Sequence, residues 1–198
     1  MIQLAEIANI KAGYPFRGSI KPAPNNGVLA VQMRDLRIEE GVINWDGAVT
    51  TRLTGKREPD WLRSGDILLP SVGGRSQSIL VGEVPAPAVC SPHIFQIRLT
   101  ATQVEPGYIA WALRQSEAQR QIAGAATGGT VKLLRRAVLE NIRLPIPSIH
   151  RQRQIAELMA TAMAERRALE ALIANRERQL AGIAQKLFNE EINQEVVS

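Results

Sequence analysis

The chain has 198 residues, of which 45% are hydrophobic and 22% charged, and its net charge is +5. This size and apolar content fit one domain with an appendage and exclude wholesale disorder. No run approaches the ~20 apolar residues of a membrane helix, and the start resembles no secretory leader. We therefore expect a cytoplasmic protein with no membrane partner, in which the single cysteine, Cys90, is a buried thiol.

The positive charge is concentrated in the first three quarters of the chain. Residues 1–147 contain 17 Lys and Arg against 12 Asp and Glu, whereas residues 148–198 contain 7 of each. The second region also lacks proline and has only Gly182. We therefore predict a basic domain over 1–147, one long helix over 148–190 and a tail over 191–198. A basic domain favours a polyanionic partner such as nucleic acid.

The basic region has the pattern of an irregular, mostly antiparallel sheet with a few helices. Helices are predicted from Pro106 through Ile122 and over 133–141. Turn residues separate short β-like runs, which is typical of antiparallel strands. Together with the long C-terminal helix, this gives an α+β fold class. The β-like runs lie at 28–31, 42–45, 66–69, 79–84, 94–99 and 142–146.

The long helix carries a seven-residue repeat. At ~1.5 Å per residue, its forty residues form a rod of roughly 60 Å. Apolar residues spaced by four and then three indicate a coiled-coil seam, in which Arg166 and Arg176 would fix the register. The alternative is a long helix packed on its own domain. The apolar seam positions, predicted to contact a partner helix, are Ile155, Met159, Ala162, Leu169, Ile173, Leu180, Ile183 and Leu187.

The sequence shows no catalytic chemistry. His93 and His150 are far apart, and neither has a cysteine or paired carboxylate at metal-ligand spacing. A phosphate-binding loop, a nucleophile elbow, the glycine-rich loop of base methyltransferases and the acidic motif of metal-dependent nucleases are all missing. We predict a non-enzymatic chain that holds no metal or cofactor.

Two glycine-containing loops are the strongest candidates for DNA contact. In the first, Gly73 and Gly74 allow close approach of the backbone to a phosphate. Arg75 suits a guanine edge, Gln77 an adenine edge, and Ser76 a phosphate oxygen. The alternative is an ordinary polar hairpin connection, because paired glycines also mark simple turns.

The second loop combines backbone freedom, hydroxyls and cations. Gly128, Gly129, Thr130 and Lys132 are predicted to contact DNA, although a solvated linker between helices would look similar. Two further candidates, each weaker because surface arginines are usually solvated, are Arg17 and Arg34.

Three stretches resemble the specificity subunit of Type I restriction-modification systems. The opening LAEIANIKAGYPFRG is similar to that family's first strand and glycine turn. WLRSGDILLPSVGG resembles its Gly-Asp-Ile-Leu strand and the following loop. Residues 104–158 resemble its most recognisable part, where a helix leads through a glycine loop and a Pro-x-Pro exit to a Gln-rich helix start. The resemblance covers nearly the whole chain.

The resemblance implies a target-recognition domain for double-stranded DNA followed by a long helix. Family members repeat this pair, their two helices pack antiparallel, and each recognition domain reads half of a split site. The helices also dock DNA methyltransferase subunits, which hold S-adenosylmethionine, while a motor-nuclease restriction subunit cuts. The specificity subunit itself needs no cofactor.

This chain departs from the family pattern in having one recognition domain and one helix. We therefore expect a homodimer, formed by an antiparallel coiled coil, that reads a split palindromic site and directs a methyltransferase. One alternative is that the chain is a truncated form or fusion partner of a longer subunit. Others are a dimeric DNA-binding regulator without a methyltransferase and a protein-interaction adaptor that never binds DNA.

Overall fold

A computed structural model describes residues 1–23, 27–72, 77–125 and 133–195. The chain forms two compact units, Met1–Ala160 and Thr161–Ser198. The described part of the first unit contains every strand and the short helices, and the second consists of helix.

Most strands are short, and helices and turns separate them at irregular intervals. Two short 3₁₀ turns, Met33–Asp35 and Trp45–Gly47, interrupt the strands. Within the described residues the strands are β1 (Ile2–Gln3), β2 (Ala8–Ala12), β3 (Val28–Val31), β4 (Leu36–Arg37), β5 (Val42–Ile43), β6 (Val49–Thr51), β7 (Ile67–Pro70), β8 (Ile79–Leu80), β9 (Ala88–Cys90), β10 (Ile94–Leu99) and β11 (Arg143–Leu144). The α-helices are α1 (Leu4–Ile7), α2 (Pro106–Arg114), α3 (Ser116–Ala125), α4 (Arg136–Glu140) and α5 (Ile149–Glu195).

The largest sheet has four antiparallel strands in the order β2-β10-β7-β8. A second sheet, β6-β3-β9, pairs β3 with β9 in parallel and β3 with β6 antiparallel. The pairs β1-β11 and β4-β5 are also antiparallel. Strand β10 is central in the largest sheet, and its first four residues are buried, as expected for a strand covered on both faces.

Two hydrophobic cores flank the largest sheet. Ile67, Leu69 and Ile97 face a core that α2 closes with Ile109 and Leu113. The alternating residues of the same strands, among them Leu68 and Ile94, face a second core. This alternation is the period of two expected of a strand whose two faces are both covered.

A buried ion pair fixes the strand that precedes the first glycine loop. Arg98 donates two parallel hydrogen bonds of 2.7 Å to the carboxylate of Asp66 and a third to the backbone oxygen of Trp61. Gln96 and the backbone N–H of Arg63 also donate to Asp66. These hydrogen bonds raise the pKa of Arg98 above its usual value. Arg98 is thus a structural residue.

The first turns of α5 belong to the first unit and are fixed there by Gln152, which is fully buried. Its side-chain oxygen accepts from the N–H of Glu105 at 2.9 Å. Its amide nitrogen donates to the oxygens of Gln103 and Pro147, at 3.2 and 2.8 Å. We call Gln152 and these three partners the Gln152 clamp.

Helix α2 packs closely against this part of α5. A Cβ added to Gly107 would lie 2.9 Å from the Cβ of Ala156, so glycine allows the two helices to approach. The hydroxyl of Tyr108 donates to the oxygen of Pro145 at 2.7 Å. Both contacts add to the clamp in holding the start of α5.

The predicted α+β class, the mostly antiparallel sheets and the long C-terminal helix are confirmed. The prediction of one helix from Pro106 through Ile122 is wrong, because Gln115 is extended and separates α2 from α3. The helix predicted over 133–141 is shorter, since Leu133 pairs with a strand-like residue instead. Missed elements include β1 and β9, which are only two and three residues long.

Candidate nucleic-acid interface

One edge of the four-stranded sheet gathers the segments that carry candidate DNA contacts. Ala12 pairs with Phe95 and Pro70 pairs with Ile94, so β2 and β7 both end where β10 begins. Strand β8 also begins at this edge, because it runs antiparallel to β7. We call it the loop edge. The residues that follow β2 and β7, and those that precede β8 and β10, all leave the sheet there.

The residues that flank the two predicted glycine loops pair with each other at the loop edge. Val72, just before the first loop, forms an antiparallel bridge with Leu133, just after the second. The N–H of Leu134 donates to the oxygen of Ser71 at 2.8 Å, and the N–H of Ser71 donates to the oxygen of His93 at 2.9 Å. Two loops about sixty positions apart in sequence therefore share one anchor beside β10.

Most residues predicted within these loops lie outside the described part of the chain. This applies to Gly73, Gly74, Arg75 and Ser76 of the first loop and to Gly128, Gly129, Thr130 and Lys132 of the second. Their predicted roles stay predictions. What the structure describes is the chain on either side of the first loop and the segment that follows the second.

Gln77, which ends the first loop, is held by an arginine. The Nη2 atom of Arg114, at the end of α2, donates to the side-chain oxygen of Gln77 at 3.2 Å and to the backbone oxygen of Ile38 at 3.5 Å. The next residue, Ser78, is buried and donates to the oxygen of Ala110 at 2.6 Å. Reading of an adenine edge by Gln77 requires Arg114 to share or release that oxygen.

The segment after β2 lies against residues 50–54. The N–H of Arg17 donates to the hydroxyl of Thr54 at 2.9 Å, and the hydroxyl of Thr51 donates to the oxygen of Lys21 at 2.7 Å. An open cleft between the two segments is lined by Arg17, Lys21 and Arg52. Arg52 was missed by the sequence analysis, because an isolated arginine carries no signal of its neighbours.

The segment after β2 begins with a close backbone approach. A Cβ on Gly13 would lie 2.1 Å from the backbone oxygen of Ser91, so only glycine fits there.

The other predicted candidate, Arg34, is exposed in a 3₁₀ turn, and its Nε lies 3.8 Å from the carboxylate of Asp35. No described contact links Arg34 to the loop edge.

The predicted seam of α5 falls into two parts. Ile155 is half-buried against the first core, and Met159 is half-buried too. Ile155 therefore packs on its own domain, as the alternative to a coiled coil predicts for the helix. The remaining seam positions are exposed: Ala162, Leu169, Ile173, Leu180, Ile183 and Leu187.

The described residues contain no cluster of three metal-ligating side chains. Burial raises the pKa of the Cys90 thiol to about 12, which leaves it protonated and unreactive at neutral pH. Among the described helices, none is long and apolar enough to cross a membrane.

The fold defines a small mixed α+β domain that displays loops at one sheet edge and continues into a long helix. No family model matches the chain. It is 22% identical over 163 residues to the Type I restriction enzyme MjaVIII specificity subunit of Methanocaldococcus jannaschii, covering 79% of this chain and 37% of that protein.

Three solved structures with a similar fold are chains of Type I restriction-modification systems. One, from a type I R-M system described for its complex assembly and conformational transition, has a TM-score of 0.65 at 18% identity and covers 90% of this chain and 45% of its own. The S subunit from M. genitalium scores 0.53 at 15% identity, over 81% and 37% of the two chains. The HsdS subunit from Thermoanaerobacter tengcongensis scores 0.56 at 17% identity, over 85% and 38%.

The predicted resemblance to Type I specificity subunits is thus confirmed in sequence and in fold. The chain spans less than half the length of each of these relatives.

Proposed function

We propose that this chain is a specificity subunit of a Type I restriction-modification system that recognises double-stranded DNA and has no catalytic role. The observation that carries the proposal is the shared anchor of the two glycine loops at Val72 and Leu133. A protein that reads DNA needs several side chains presented together to adjacent bases. The anchor gives two loops with hydroxyls, glycines and cations a common origin, as such a reading surface requires.

Methylation and cleavage belong, in this proposal, to partner subunits. The similarity to specificity subunits supports this division. The partners are a DNA methyltransferase subunit that holds S-adenosylmethionine and, where cleavage occurs, a motor-nuclease subunit.

The proposal includes a homodimer formed by α5. Apart from Arg166 and Arg176, its described seam positions beyond Met159 are apolar and exposed, and an exposed apolar stripe of this length is unfavourable in water. A second copy offers an identical stripe, and antiparallel pairing would place one recognition domain at each end of the helix pair. A two-fold dimer of this kind reads a split palindrome.

The decisive experiment maps methylated sites in DNA from cells with and without the gene. Loss of methylation at one split palindromic motif supports the whole proposal. Loss at a split but asymmetric motif would retain DNA recognition and remove the homodimer. Unchanged methylation, with salt-dependent binding of purified protein to DNA, would indicate a regulator instead. No DNA binding at all would indicate an adaptor.

Arg75 is predicted to read a base in the first loop, and its substitution tests that role. Arg75→Ala should cost about 1–3 kcal/mol on cognate DNA and relax the choice of base at one position. Binding to random DNA should change little. The matched variant is Lys132→Ala, which should weaken binding to cognate and random DNA alike because phosphates carry no sequence information. Equal losses on both DNAs for Arg75→Ala would reassign it to a phosphate.

A further inference from the structure

The cleft between residues 16–23 and 51–54 collects positive charge without any acidic lining. Arg17, Lys21 and Arg52 line it, and its other lining residues are uncharged. All three side chains are exposed. Among the described residues none of the three has an ion-pair partner, whereas nearby Lys11 and Arg57 are both paired with Asp60. The charge in the cleft is therefore uncompensated.

Hydrogen bonds between the two walls fix the order of the three cations. Thr54 accepts from the backbone of Arg17, and Thr51 donates to the backbone of Lys21. On the facing wall, Arg52 comes between Thr51, which contacts Lys21, and Thr54, which contacts Arg17. Along the cleft, the backbone of Arg52 therefore lies between those of Lys21 and Arg17. From residue 17 to residue 21 the chain can span at most ~14 Å. One DNA strand places about four phosphates along that length of helix axis.

The cleft is connected to the loop edge, where Val72 and Leu133 anchor the glycine loops. Its first wall is the continuation of β2, and Tyr14 N–H donates to the oxygen of Cys90 at 2.8 Å, close to the start of β10. The hydroxyl of Tyr14 donates to the oxygen of Gly55 at 2.8 Å, which ties the second wall to the first. Through Tyr14, both walls of the cleft are therefore tied to the part of the domain where β10 begins.

We propose that Arg17, Lys21 and Arg52 form a site for the phosphate backbone of double-stranded DNA, separate from the base-reading loops. The inference rests on the proposed DNA-recognition function and assigns the sequence-independent part of the affinity to this cleft. Arginine and lysine at exposed positions hold phosphates through charge, and each contact releases a counterion. Substitution should therefore weaken binding to every DNA sequence and reduce its dependence on salt.

The test compares the full-length chain with Arg17→Gln/Arg52→Gln, measuring affinity for cognate and random duplexes over a range of salt concentrations. The slope of log K against log salt should become shallower by about two for the double variant and by about one for Lys21→Gln. Affinity should fall by the same factor on both DNAs. Arg52→Lys should keep the slope, because lysine retains the charge.

The control is Arg120→Gln, which removes an exposed arginine paired with Glu117 on α3. It should leave the slope unchanged, and all variants should keep the wild-type melting temperature because these side chains are exposed. An unchanged slope in Arg17→Gln/Arg52→Gln, or a loss confined to cognate DNA, would overturn the phosphate site while leaving DNA recognition intact. Wild-type protein that binds neither DNA would instead remove the proposed function, and the cleft site with it.

Discussion

Replacing Leu169 and Ile173 with glutamate is expected to convert the proposed dimer into a monomer. The two side chains are 61% and 59% exposed in the single chain and lie four residues apart on the predicted seam. Burial of such a side chain contributes ~1.5–3 kcal/mol, and a dimer buries four of them. Their loss therefore costs about 6 kcal/mol or more, which raises the dissociation constant by roughly four orders of magnitude.

The measurement is mass in solution at micromolar concentration, by light scattering or sedimentation. Ala171→Glu/Ala174→Glu is the matched control, because it adds the same charge to exposed positions on the other side of the helix. The control should stay dimeric, and only the seam variant should lose methylation of the split site. A seam variant that retained the dimer mass would show that the two copies pair through another surface or not at all.

The long helix was predictable because its signal is local and repeated. A region without proline, containing one glycine and a seven-residue repeat, can hardly adopt another regular structure, and α5 begins at Ile149 after Pro147. What the repeat could not reveal is where the helix stops packing on its own domain. Ile155 continues the periodic pattern yet packs against the first core. The residues of that core come from many separate segments, so no local pattern indicates this contact.

The irregular domain was predicted less well because its short strands carry no local, repeated signal. Strands of two or three residues, such as β1 and β9, have no detectable period and exist because a neighbouring strand pairs with them. The division of α2 from α3 at Gln115 likewise follows tertiary packing. Sequence reasoning found β3 and β10 with their observed bounds, since β3 is entirely apolar and four of the six residues of β10 are apolar.

In the candidate interface, too, contacts between distant segments could not be predicted from the sequence. Each glycine loop was found from its composition, but their common anchor depends on a bridge between Val72 and Leu133 that no local pattern indicates. The role of Arg114 in holding Gln77, and the place of Arg52 beside Arg17, are also products of the fold. The residue types indicate which DNA contacts a loop can make. Which residues lie next to each other in space depends on strand pairing.

Substitution of Gln152 by leucine is expected to destabilise the first unit strongly. Gln152 is fully buried and satisfies three backbone groups, those of Gln103, Glu105 and Pro147. Leucine has a similar size but no polar atom, so these groups lose their partners. The three hydrogen bonds are part-buried, and at ~1 kcal/mol each their loss costs about 3 kcal/mol, well above the ~1 kcal/mol of an average substitution.

Urea unfolding followed by tryptophan fluorescence measures this loss directly, because all three tryptophans lie in the first unit. Gln154→Leu is the matched control, since Gln154 is an exposed residue on the same helix, and it should change the free energy of unfolding by less than about 0.5 kcal/mol. A helix can space two recognition domains only if its first turns are fixed to one of them. Gln152→Leu should therefore also relax the spacing between half-sites in methylated DNA. Equal stability of the two variants would show that the Gln152 clamp contributes nothing to holding α5.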